Sequence, residues 1–322
     1  MYKKIDTHSH IFPSFDGPDS DFDLYQKKAK SINVVASFLA PGPCPKKVVD
    51  RKEYYPCLWQ HDNGTVQYKK CIISDEKTVY EKVDKNPYSE TNNTLFNAIT
   101  IANIKNNVTK FYATPLFHPI LDTDQELERL CSVKETVGIK LHGIATFTGP
   151  KDISRAHLNI LKKYNKPLIV HTDLFKDPKS PIQTAYQLNH PSGWIKLAIE
   201  SGIKLVALHG ACLSKEAIDM AKGHPNIMIG TSPDLLMMSE PDRLDIPTKD
   251  LVKDLFNLVD ANQILFDIDY SWNVNNRDLW HNLDWNMESR YIKAAKDNGF
   301  TKYEIEAYFY HNAINFFELE NL

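Results

Sequence analysis

The sequence predicts an α/β protein, specifically an eight-stranded (β/α)8 TIM barrel with an insertion after the second strand. Two observations carry this expectation. Eight short apolar β-type runs are spread along the 322 residues, and from residue 123 onward each run follows a helix-length amphipathic stretch. Such alternation makes neighbouring strands parallel, because a parallel pair needs a crossover of helix length. A doubly wound open sheet leaves the same local signature. However, the chain has no Gly-x-Gly-x-x-Gly or Gly-x-x-x-x-Gly-Lys loop, which removes the usual nucleotide-binding form of that alternative.

The first three strands are expected over residues 2–8, 33–39 and 111–116. The other five cover 137–142, 167–171, 204–209, 227–231 and 264–269, preceded by helices over 124–135, 153–164, 194–201, 213–222 and 248–259. Residues 41–107, rich in lysine, tyrosine and asparagine, are too long for a plain connection and read as an insertion, either a cap on the barrel mouth or a surface elaboration. Within it, residues 59–68 read as a hairpin whose Asn63-Gly64 pair suits a tight turn. The acidic segment 16–23 reads as a solvated turn, and the aromatic-rich stretch 303–318 as a closing helix packed on the barrel exterior. No internal repeat is evident, so residues 1–322 are expected to form one domain.

Lysine plus arginine total 38 against 41 acidic residues, a net charge of −3, which argues against a polyanion binder and so against nucleic acid or an anionic membrane as partner. The five cysteines are odd in number and widely spaced, without a Cys-x-x-Cys pair. That usage suits reduced thiols and a cytoplasmic setting. The polar start of the chain lacks an apolar h-region, and no run approaches the roughly 20 apolar residues of a spanning helix. The expected partner is a small-molecule substrate, with a homo-oligomer left open.

Alternation along a strand puts Asp6, His8 and His10 on one face, with Asp6 read as a structural carboxylate or one that supports the ligands. His8 and His10 would lie about 6.5 to 7 Å apart at Cα, close enough for two imidazoles to converge on one ion. Lys140, His171, His209 and Asp269 each fall at or near the C-terminal end of a different predicted strand, the face on which parallel barrels build their sites. Imidazoles plus a carboxylate form the donor set that zinc prefers, with iron, manganese, cobalt or nickel as substitutes. A bound divalent cation makes hydroxide available near neutral pH, and Asp269 could take the water proton and pass it to a leaving group.

These residues resemble the amidohydrolase superfamily, particularly its amidohydrolase-related (amidohydrolase 2) branch. The matching pieces are Asp6-Thr7-His8-Ser9-His10, Gly138 to His142, Leu168 to Thr172, Ala207-Leu208-His209-Gly210, Leu265 to Tyr270 and Asn312-Ala313. The resemblance implies that His8, His10, His171 and Asp269 ligate a divalent metal, with His209 either a ligand of a second ion or the group that orients the attacking water. Lys140 stands where two-metal members carry a carboxylated lysine that bridges the ions; unmodified, it would anchor an anionic substrate. Asp267 departs from the family's usual Phe-Gly-Ser-Asp and adds an inward carboxylate below the site, which must be paired, hydrogen-bonded or protonated.

His118 and His142 sit on mouth-facing loops as candidates for substrate contact, and Trp272 and Tyr270 as candidate pocket walls. His61, His157, His190, His224, His281 and His311 lack partner spacing and read as structural or solvated. The expected activity is metal-dependent hydrolysis of a small amide, lactone or ester. A metal-dependent decarboxylase and a ligand-binding barrel without chemistry are the alternatives.

Overall fold

The computed structural model describes residues 1–11, 18–42, 45–62, 65–74, 77–105, 108–173, 188–231, 248–269 and 287–320. Among them, β1 (Lys4–His10) and β2 (Val34–Ala40) are followed by β3 (Lys47–Val49), β4 (Lys52–Asp62), β5 (Thr65–Ser74) and β6 (Lys77–Lys82). After these come β7 (Lys110–Ala113), β8 (Ile139–Leu141), β9 (Leu168–Val170), β10 (Leu205–Ala207), β11 (Ile227–Gly230) and β12 (Ile264–Leu265). The protein is a mixed α/β structure with two parallel sheets, ordered β1-β2-β7 and β12-β11-β10-β9-β8, and one antiparallel sheet, β3-β4-β5-β6.

Hydrogen bonds also run between the two parallel sheets at both ends. At one junction Lys140 N–H donates to the Pro115 carbonyl at 2.9 Å and Val137 N–H to that of Ala113 at 3.0 Å. At the other, Thr7 N–H donates to the Phe266 carbonyl at 3.0 Å and Asp269 N–H to that of His8 at 2.8 Å.

Alternate strand positions feed two apolar layers. Ile139, Leu141, Leu168, Val170, Phe266 and Ile268 pack with helix residues such as Leu127, Leu161, Trp194 and Leu255. Ile5, Phe38, Ile169, Val206 and Leu265 form a second cluster, joined by Tyr310 and Phe316 near the C-terminus. Lys140 lies between Ile139 and Leu141, so its side chain leaves the helix layer, as alternation predicts. The closing segment runs as helix Lys302–Glu306, a π-turn Ala307–His311 and helix Asn312–Phe317. Its Asn312 amide donates to the Ile264 carbonyl at 2.9 Å, tying it to β12.

Three expectations need correction. Residues 18–23 of the acidic segment are not a turn; they open the helix Pro18–Ser31. Proline at the first helical position and aspartates in the first turns, which favour the positive end of the helix dipole, explain why. Second, residues 41–107 are not one insertion. They divide into the antiparallel sheet and the helix Ser89–Lys105, which buries Leu95, Ile99 and Ala102 and supplies the crossover from β2 to β7.

The third concerns Asp6. The pairing of β1 with β2 is irregular between Asp6 and Ser9, and such a bulge resets the alternation of faces. Asp6 therefore does not share a face with His8. Its Oδ2 accepts from the Tyr25 hydroxyl, from Ser9 Oγ at 2.5 Å and from Ser37 Oγ at 3.1 Å. Its Oδ1 accepts from Ile268 N–H at 2.9 Å. Asp6 is thus a structural carboxylate that ties β1 to β2, to the helix Pro18–Ser31 and to the segment after β12.

The predicted hairpin is present: Trp59 pairs with Tyr68 and Asp62 with Thr65 across β4 and β5, while its turn residues, Asn63 and Gly64, lie outside the described residues. The antiparallel sheet reaches the loops that follow β7 and β8. Trp59 Nε1 donates to the Ile144 carbonyl at 2.6 Å and its ring lies 4.7 Å from that of Phe147. Tyr68 meets His118 edge to face at 4.7 Å. Among the described residues no helix is long and apolar enough to cross a membrane.

Candidate metal centre

His8 and His10 sit at the C-terminal end of β1, two residues apart, with ring centroids separated by 4.6 Å. Asp269 reaches them from four residues past β12, where its backbone takes φ 52°. One ligand atom from each of His8, His10 and Asp269 lies within 4.8 Å of the others, and all three residues are buried. Asp269 Oδ1 is 3.4 Å from His8 Nε2 and 3.7 Å from His10 Nε2.

His10 Nδ1 donates to the Pro41 carbonyl at 2.9 Å, and burial pushes its imidazole down to about 3, so at neutral pH the ring is uncharged. The proton on Nδ1 makes Nε2 an acceptor. It faces a carboxylate oxygen, an arrangement that a cation between the two would stabilise.

Lys140, fully buried, points into the same space, its Nζ 3.2 Å from His8 Nε2. Burial pushes its ammonium down to about 7, with Asp269 and Asp267 pulling the other way. His8, His142, His171 and His209 are all held well below the ordinary imidazole value, by burial first and then by neighbouring Lys140 and imidazoles. These four rings are neutral donors, the state in which imidazole binds metal. Buried His8 Nδ1 and His209 Nδ1 have no hydrogen-bond partner among the described residues. The residues present therefore fit a divalent cation.

His209 Nδ1 lies 3.7 Å from Asp269 Oδ2, and its Nε2 is 2.7 Å from His171 Nδ1. His171 thus joins the cluster through His209, and its ring stacks on that of His142 at 3.9 Å and 12°. His142 also caps the short helix Gly143–Thr146, its Nδ1 accepting from Ala145 N–H at 3.3 Å.

The backbone that delivers His209 could not be read from strand periodicity. Residues 209–213 take φ values of 56°, 59°, 45°, 57° and 52°, a left-handed turn in which only one residue is glycine. Each non-glycine residue there costs about 1–2 kcal/mol. Such strain clusters at functional sites, and with Asp269 it marks both residues that approach each other across the site. Asp267, buried one step below, explains the glycine at 230, where an added Cβ would sit 2.3 Å from Asp267 Oδ2.

His118 stands apart. Among the described residues its ring meets Tyr68 and Tyr88, and it makes no contact with the imidazole cluster. Its Nδ1 accepts from the Ile120 and Leu121 N–H groups at 3.3 Å each, and burial lowers its pKa to about 3. The proton therefore resides on Nε2, which is buried without a partner among the described residues. Trp272 and Tyr270 lie outside the described residues.

Asp122 supports this loop, its Oδ2 accepting from His118 N–H at 2.7 Å. Burial pushes its carboxyl from 3.8 up to about 7, against the lowering effect of that hydrogen bond. The folded protein keeps this proton up to about pH 7 while the unfolded chain has already released it. Asp122 thus costs stability progressively between about pH 4 and pH 7, and the full cost remains above that window. Asp122→Asn, which keeps an acceptor oxygen, is expected to be more stable than the parent by about 2–4 kcal/mol above pH 7. The two should converge below about pH 4, as read by urea denaturation across that range.

No protein-family model matches the sequence, and no curated protein matches it either. Solved structures do. IDCase from Metarhizium anisopliae aligns with a TM-score of 0.58 at 10% identity, over 99% of this chain and 98% of that one. A candidate 2-pyrone-4,6-dicarboxylic acid hydrolase from Pseudomonas putida gives 0.56 at 11%, over 99% and 100%. An amidohydrolase II gives 0.54 at 14%, over 98% and 100%. At these identities the likeness is one of fold, and it runs along nearly the whole chain.

Proposed function

We propose that this chain is a metal-dependent hydrolase of the amidohydrolase type, acting on a small-molecule amide, lactone or ester. In this reading the two parallel sheets are arcs of one (β/α)8 barrel, supported by the hydrogen bonds that join them at both junctions. The observation that carries the reading is His10 Nε2 facing Asp269 Oδ1 at 3.7 Å, two acceptors aimed at one point.

His8, His10, Asp269 and His171 would hold the ion, with His209 either a further ligand or the group that orients water. Zinc is the ion this donor set suits. When bound, a divalent ion supplies hydroxide near neutral pH.

Asp269 accepts the proton of the attacking water and delivers it to the leaving group. His209 Nδ1 lies 3.7 Å from Asp269 Oδ2, beyond a direct hydrogen bond, and would orient a water placed beside that carboxylate. Lys140 presents a buried ammonium for a substrate carboxylate, or a carbamate if it is carboxylated. An ammonium beside the donor set also suits substrate carboxylate binding, which keeps a decarboxylase as the second reading. His142, stacked on His171, offers a donor to substrate oxygens. The protein would work in the cytoplasm.

Metal analysis of purified protein tests this directly. At least one zinc, or a substitute divalent ion, per chain is expected, and His171→Ala should lose both metal and turnover. Protein that carries no ion and binds none on zinc addition would rule the reading out. Release of carbon dioxide without hydrolysis would select the decarboxylase.

A further inference from the structure

We propose that the chain forms a homodimer through β6, the outer edge of which pairs antiparallel with β6 of a second copy about a two-fold axis at Val79. The antiparallel sheets of the two copies then run on as one. β6 ends the sheet order β3-β4-β5-β6, and all six of its residues are exposed. An outer strand turns every second N–H and C=O away from its neighbour, a ready template for another strand.

Several usual protections against such pairing are missing from β6. It contains no proline, and its register with β5 runs from Lys69↔Lys82 to Ser74↔Lys77 without a bulge. It also exposes two consecutive apolar side chains, Val79 at 50% and Tyr80 at 48%. Its charges, on Lys77, Glu81 and Lys82, are the remaining guard, and their order decides the partner.

Because side chains alternate between faces, a two-fold axis perpendicular to the joined sheet must pass through a residue. Centred on Val79, the axis sets Lys77 opposite Glu81 of the second copy, Thr78 opposite its Tyr80, and Val79 opposite itself, the first two pairs occurring twice. Opposite charges, and an aromatic beside a β-branched residue, are favoured cross-strand pairs. Centred on Tyr80 instead, the axis sets Val79 against Glu81 and Thr78 against Lys82, with no ion pair. The stretch Lys77-Thr78-Val79-Tyr80-Glu81 is thus complementary to its own reverse, which favours a second copy over an unrelated strand.

The rows continue into each sheet. Ile72 pairs with Val79 and Lys70 with Glu81, so Ile72 and Val79 of both copies make one apolar row. Glu81 lies 3.8 Å from Lys70, and a carboxylate with two oxygens can accept from the second copy's Lys77 as well. Lys77 itself makes no ion pair among the described residues.

The test is sedimentation velocity of the full chain over a concentration series. A reversible monomer–dimer equilibrium is expected. Lys77→Glu and Glu81→Lys each turn two attractions into two repulsions, and each should weaken the dimer by at least about tenfold. An equimolar mixture of the two variants should dimerise as the parent does, because every cross-strand charge pair is again of opposite sign. The proposal is overturned if the parent sediments as a monomer throughout, if either variant alone dimerises as the parent does, or if the mixture stays as monomeric as its components. Both side chains are exposed, so their reversal leaves the fold intact, and the mixture distinguishes a broken interface from a damaged chain.

Discussion

His8→Ala is expected to lower turnover by roughly a thousandfold, the rate equivalent of the several kcal/mol that a metal-bound nucleophile supplies. The same change should abolish thermal stabilisation by zinc, which for the parent amounts to about 4 kcal/mol at a thousandfold excess over Kd. The geometry gives the reason. His8 Nε2 is the atom that stands between Lys140 Nζ, at 3.2 Å, and Asp269 Oδ1, at 3.4 Å. Without the imidazole, the ammonium and the carboxylate are free to pair directly, and that ion pair takes the carboxylate away from a metal. Metal content and turnover measured on one preparation check the prediction. A His8→Ala protein that keeps its ion and its rate would show that His8 is no ligand.

Asp6→Ala should produce the largest loss of stability, about 3–5 kcal/mol, because it strands several buried donors at once. The carboxylate accepts from Tyr25, Ser9, Ser37 and the Ile268 backbone, and also from His8 N–H at 3.3 Å. Burial pushes its pKa up to about 6, with those hydrogen bonds pulling it back, so it is ionised at neutral pH. A melting temperature about 10 °C below the parent is expected, and Asp6→Asn should fall between the two because the amide retains one acceptor oxygen. A loss below about 1 kcal/mol would mean that this network does not hold β1 to the segment after β12. Because His8 and Asp269 flank the two ends of that network, the alanine variant should also bind zinc more weakly than its loss of stability accounts for.

The parts of the site carried by regular strands were legible in the sequence. His8 and His10 obey a two-residue spacing within β1, and Lys140 is framed by Ile139 and Leu141, both in the helix-packed layer. Period-two alternation holds there because both layers are apolar and a one-residue slip would bury the lysine among helix side chains. Asp6 escaped the same rule because the bulge that follows it adds a residue on one side of the ladder only. The helix Pro18–Ser31 was missed for a different reason. Its aspartates were read as a solvated turn, although behind a proline in the first helical position they favour a helix start.

What the sequence determined by itself was where the eight strands of the two parallel sheets fall, their parallel character, and the imidazoles and carboxylate at or near strand ends. These follow from hydrophobic periodicity, which is a local property. Only the tertiary structure decided how His209 and Asp269 approach, since both depend on left-handed backbone that residue types other than glycine adopt only when surrounding contacts hold them there. The same is true of the tautomers. His10 keeps its proton on Nδ1 because the Pro41 carbonyl lies 2.9 Å away, and His118 keeps its proton on Nε2 because two backbone N–H groups point at Nδ1. Where a proton sits on an imidazole is settled by partners distant in the chain or folded back upon it, and no pattern of letters encodes those.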